Sequence, residues 1–203
     1  MAKYSDIKGF TVQTLSTDTV ASQAAGGSWA SGGALNTART SAQGSGTSSS
    51  SAILGGGYKT PASPTYHAQT EIYNGTAWTE VNDLNQAGFF GQGSGTTTAA
   101  IVIGGNNYTT LVETWDGSSW TEVAEVNTGR LLGASLGTTT AGIYAGGGPP
   151  GSGITNVESW NGSSWTETSY DLNTGKYYMW GTGNSTNAIV SGTPTTTEEF
   201  NGS

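Results

Sequence analysis

The residues best equipped for chemistry in this chain are its acids, and they recur. Glu71, Glu113, Glu158 and Glu198 each stand two positions before an aromatic residue, and Glu80, Glu122 and Glu167 each follow a Trp-Thr pair. Two facing carboxylates are what glycosidic hydrolysis requires, and a ring of carboxylates suits a hard cation. A residue that returns once per repeat at a fixed place has a simpler reading as architecture, accepting hydrogen bonds between repeats, and no carboxylate pair stands outside the repeat. His67 is the one histidine and there is no cysteine, so a His/Cys metal site cannot be assembled within one chain. A Ser-His-acid triad would have to recruit His67, and no G-x-S-x-G elbow leads into a helix. The glycine pairs lack the Lys-Ser/Thr that follows a phosphate-binding loop. The expectation is a protein that is not an enzyme and needs no cofactor or metal.

The elements that position these residues follow from the repeat itself. EIYNGTAWTEV at 71–81, ETWDGSSWTEV at 113–123 and ESWNGSSWTET at 158–168 are three copies, and EEFNGS at 198–203 begins a fourth. Trp78, Trp120 and Trp165 are spaced by 42 and 45 residues, the period of a propeller blade. Asn74-Gly75, Asp116-Gly117, Asn161-Gly162 and Asn201-Gly202 each predict a tight hairpin between two strands, because these residues tolerate positive φ. Upstream, 52–56, 100–105 and 142–147 are short apolar runs ending in glycines, which read as buried strands. Before those, the glycine-spaced segments 40–46, 88–95, 131–137 and 177–183 suit a crowded innermost strand. Four strands per repeat make a blade. Trp29 has no repeat in front of it, while the last repeat stops before its own Trp. Residues 28–33 are therefore expected to supply the outer strand of the blade made by 177–200, so that the N- and C-terminal strands close the ring and leave no free edge; strand exchange in a homo-oligomer is the variant.

Composition narrows the partners. Six Lys/Arg against 14 Asp/Glu give a net charge of −8, which leaves no basic stripe for a phosphate backbone, so no nucleic acid is expected. No apolar stretch is long enough to span a membrane, and the start, MAKYSDIKGF, lacks the apolar segment of a secretion signal. The seven Trp, nine Tyr and four Phe carry the core area.

These residues resemble the kelch repeat, which is also found in the central propeller of the galactose oxidase family. The features shared are the double glycine Gly104-Gly105, the aromatic Trp115, the Trp120 after the hairpin, and an Arg before the following inner strand (Arg130, and Arg39 in the first repeat). In the last repeat Ser191-Gly192 replaces the double glycine and Lys176 stands near the Arg position. The resemblance implies an all-β fold: a small four-bladed propeller over 28–203, each blade four-stranded, with Trp29, Trp78, Trp120 and Trp165 as its structural repeat. Copper chemistry is not implied, since the His pair and Cys it needs are missing. The NGSSWTEV-type repeats behind the start Ile7–Ser16 are also similar to a group of marine-phage structural proteins. That likeness implies a virion component, a head decoration or a part of the tail or its fibres, assembled in the host cytoplasm and contacting other virion proteins. Residues 1–27 then form an attachment segment, with Ile7, Phe10, Val12 and Leu15 as docking residues. Loop residues Tyr58, Tyr66, His67, Asn107 and Tyr108 are the candidate binding set, with His67 expected to be exposed. The alternative is a propeller that binds or cleaves a host surface glycan, since tyrosine and asparagine suit sugar contacts.

Overall fold

The computed structural model describes residues 30–59, 65–88 and 91–202. The chain divides into two units, 1–32 and 33–203. Trp29, Ile7, Phe10, Val12 and Leu15 lie outside the described residues, and so does most of the first unit. Ala30–Gly33, the described part of the segment expected to close the ring, is exposed and carries no strand.

The second unit is all-β, a four-bladed propeller. The first blade pairs β1 (Gln43–Ser48), β2 (Ser51–Gly55), β5 (Thr70–Tyr73) and β6 (Trp78–Val81), with a small hairpin of β3 (Tyr58–Lys59) and β4 (Thr65–Tyr66) between its second and third strands. The second blade is β7 (Gln92–Gly95), β8 (Ala100–Ile103), β9 (Val112–Trp115) and β10 (Trp120–Glu122). The third is β11 (Ala134–Gly137), β12 (Gly142–Ala145), β13 (Val157–Trp160) and β14 (Trp165–Glu167). The fourth has three strands among the described residues, β15 (Tyr177–Gly183), β16 (Ala188–Thr193) and β17 (Thr197–Phe200), one fewer than the repeat predicts. Its sequence supplies no Trp strand after Asn201-Gly202.

Each strand type follows from its place. The second strands are apolar on both faces because both are covered: Ala100 faces one seam with Ile53, Leu84, Trp115 and Trp120, while Ile101 and Ile103 face the next with Val126, Tyr144, Trp160 and Trp165. A third seam joins Leu136, Ile143 and Val157 to Met179, Ala188 and Val190. The outer strands alternate, with Trp120 and Trp165 buried and the following Thr and Glu exposed, which is the period-2 pattern of a half-covered sheet. The hairpins form as their sequences predict. In each, the side-chain oxygen of Asn74, Asp116 or Asn161 accepts from the backbone N–H groups two and three residues on, at 2.8–3.0 Å, an Asx turn. The four innermost strands line one central cavity of about 380 Å³, walled by glycine, serine and threonine with Leu136.

Candidate functional site

The repeated carboxylates anchor the connections that enter each blade. Glu113, on β9, accepts from the backbone N–H and side-chain amide of Asn85, both at 2.8 Å, and from the N–H of Gln86 at 3.1 Å. Asn36 and Thr37 bind Glu71 in the same way, Asn127 and Thr128 bind Glu158, and Asn173 and Thr174 bind Glu198. The Asn amides of the first three connections also donate to the carbonyls of Trp78, Trp120 and Trp165, so one side chain ties a connection to both the third and the outer strand. Three carboxylates gain a cation as well: Arg39 on Glu71 at 2.6 Å, Arg130 on Glu158 at 2.7 Å and Lys176 on Glu198 at 3.3 Å. Arg130 also donates to the Tyr144 carbonyl at 2.8 Å and lies over the Tyr144 ring.

The electrostatics follow from burial and from these bonds. Burial alone would raise the Glu198 carboxyl, but the backbone N–H of Asn173, the ammonium of Lys176 and the Asn173 amide outweigh it and hold it below the ordinary value. Burial pushes the Arg39 guanidinium down, against the pull of Glu71, Glu80 and Asp83. The Tyr144 hydroxyl is pushed up to about 12 by burial, against the field of Arg130. With Glu71 and Glu158 fully buried and Glu113 nearly so, these carboxylates hold the fold and face no cleft. Glu80, Glu122 and Glu167 lie on the exposed side of the outer strands. Among the described residues no group of three or more His, Cys, Asp or Glu could hold a metal ion.

Sequence reasoning saw the glutamates and the Arg positions but missed their asparagine partners. The signal was present in Leu35-Asn36, Leu84-Asn85, Val126-Asn127 and Leu172-Asn173, a pair that recurs with the blade period. Leu84 and Val126 sit in the seam cores while the Asn beside each holds the carboxylate.

The loop residues lie at the end of the disc opposite the Asn-Gly hairpins. Strands alternate in direction, so second-to-third-strand loops and blade-to-blade connections share one rim. The expected irregular loop after Tyr58 is instead partly a hairpin, in which Tyr58 pairs with Tyr66; Tyr66 is 44% exposed. His67 is half-buried rather than exposed. Its Nδ1 shares a hydrogen bond with Gln69 at 2.9 Å, and its Nε2 is buried with no hydrogen-bond partner among the described residues. Its backbone donates to the Gly57 carbonyl and accepts from the Gly88 N–H. Asn107 and Tyr108 follow in a short 3-10 turn, both with left-handed backbone at φ 52° and 62°, a conformation asparagine tolerates better than tyrosine. Tyr108 is 45% exposed, and its carbonyl rests so close to Gly129 that a Cβ there would come within 2.0 Å. The hairpin and the 3-10 turn flank one connection: Gly88 bonds to Gly57 and His67 on one side, and Asn106 donates to the Ala87 carbonyl on the other at 2.8 Å. The structure thus sets Tyr58, Tyr66 and His67 in one loop and Asn107 and Tyr108 in the next, along the same rim. Trp78, Trp120 and Trp165 stand apart from it on the outer strands, each against an aromatic partner, Tyr73, Trp115 or Trp160, at 5.1–5.5 Å. In comparisons with known proteins, no family model and no curated protein matches this chain.

Proposed function

We propose that this propeller is a non-enzymatic structural part of a phage particle, a head decoration or a component of the tail or its fibres, which works by contact between proteins. The observation that carries the non-enzymatic reading is the use of every repeated third-strand carboxylate as an anchor for a blade connection, which leaves no acid pair poised over a cleft. The virion assignment is supported by the resemblance of the NGSSWTEV-type repeats and of the start Ile7–Ser16 to marine-phage structural proteins, and the kelch likeness by the shared glycine, aromatic and Arg positions. In this reading the rigid disc displays the loops of one rim to neighbouring virion proteins, and residues 1–27 attach it through Ile7, Phe10, Val12 and Leu15. The test is deletion of residues 2–20 followed by mass spectrometry of purified particles. A chain that folds but no longer enters particles supports attachment by this segment; normal incorporation refutes it, and absence of the intact chain from particles refutes the virion role.

A second reading, recognition of a host surface glycan, is favoured by the two exposed tyrosines, Tyr66 and Tyr108, on loops that flank one connection. An aromatic face with a hydrogen-bonding tip is the usual sugar contact. A glycan array probed with the intact chain and with Tyr66→Ala/Tyr108→Ala decides it: signal lost in the variant supports glycan recognition, and no signal from either rejects it.

A further inference from the structure

The second blade breaks the charge pattern of its sisters. Three residues after the anchoring asparagine stand Arg39, Arg130 and Lys176 in the first, third and fourth blades, but Gly88 in the second. Glu113 is nonetheless 3% exposed, and both its oxygens accept N–H donors, the pattern of an ionised carboxylate. Among the described residues no cation pairs with it. An uncompensated buried charge costs several kcal/mol, a cost the sister blades avoid.

The place of the missing side chain is neither filled by apolar packing nor open like a surface cleft. Beside Glu113 lies a void of about 20 Å³, lined among others by the side chains of Gln43, Asn106, Thr109 and Glu113 and by the backbone of Gly88 and Gly104. That is room for one water-sized particle. Its side-chain oxygens are those that hard cations prefer. The single carboxylate balances one charge, not two, and the void cannot house the six to eight oxygen ligands around a calcium ion. In the fourth blade the same carboxylate position already receives an ammonium group, Lys176 Nζ at 3.3 Å from Glu198.

We propose that the second blade binds a water-sized monovalent cation, potassium or ammonium, against Glu113, in the slot that Arg39, Arg130 and Lys176 fill in the other blades. The ion completes the anchor of the connection between the first two blades, the connection that both tyrosine-bearing loops flank.

The test is the thermal midpoint of the intact chain in potassium, ammonium or tetramethylammonium chloride at equal ionic strength. Potassium and ammonium should raise it by about 2–4 °C over tetramethylammonium, saturably. Gly88→Lys, which copies the fourth blade, should abolish that difference by supplying its own ammonium. Should that variant not fold, Glu113→Gln takes its place, since it removes the charge that holds the ion. Equal midpoints of the wild type in all three salts would overturn the proposal, and so would a difference that survives in the variant.

Discussion

Single atoms decide how the repeat is held. The indole N–H of Trp120 donates to the Thr70 hydroxyl at 2.9 Å, and Thr70 is fully buried. In the next seam the position of Thr70 is taken by Val112, and the Trp165 indole N–H is buried with no partner among the described residues. Thr70→Val therefore copies a state the protein tolerates once. It should cost about 1–3 kcal/mol, the penalty for stranding a buried donor, measured by denaturant unfolding at pH 7; an unchanged stability would mean that the hydroxyl contributes nothing. Asp116 allows a test by pH. Its carboxyl is held at about 2 by the backbone N–H of Ser119, then by the N–H and hydroxyl of Ser118. A depressed carboxyl stabilises the fold above its ordinary unfolded value and loses that contribution as pH falls through the folded value. Asp116→Asn should match the wild type at pH 7, because Asn74 and Asn161 make the same turn, and should lose less stability than the wild type between pH 4 and 2. Parallel unfolding curves across that range would refute the assignment.

At the scale of elements, the connection into each blade is the unit that holds. Arg130 is almost fully buried between Glu158, the Tyr144 carbonyl and the Tyr144 ring. Arg130→Met should destabilise by about 3–5 kcal/mol, because it leaves Glu158 buried without its cation; chemical denaturation measures this, and a loss below 1 kcal/mol would show that Asn127 and Thr128 suffice. Much of this scale was legible in the sequence. The hairpins are written in residue pairs with one local solution, and the second strands in apolar runs too short for helices. The anchors were only half legible. The glutamates stood out by type, but their asparagines lie 25–35 residues away along the chain, and nothing local marks Asn85 as the partner of Glu113. The loop after Tyr58 misled for the opposite reason: its strands are two residues each, below the length at which alternation can be seen, and His67 is covered by a neighbouring connection that only the closed tertiary arrangement supplies.

For the molecule as a whole, the fourth blade is the odd one. In the first two seams an outer-strand tryptophan fills the gap between blades, Trp120 in one and Trp165 in the other. In the third, a cavity of about 200 Å³ lies among Ile143, Val157, Leu172, Ala188, Val190 and Phe200, and Phe200 stacks instead on Tyr170 at 4.7 Å. A synthetic peptide copying an outer strand, Gly162–Glu167, should dock beside β17 by strand addition and raise the melting midpoint of the intact chain. No shift at millimolar peptide would show that this edge is already taken. The inner strands carry a different message. A Cβ on Gly93 would stand 3.4 Å from the Gly44 carbonyl oxygen of the neighbouring blade, in contact and with no space beyond. Larger residues there would push the blades outward, and a wider hub subtends a smaller angle per blade. The small side chains at the axis thus act as a gauge of circumference, and the number of blades is a quantity this sequence sets by the width of its narrowest strands.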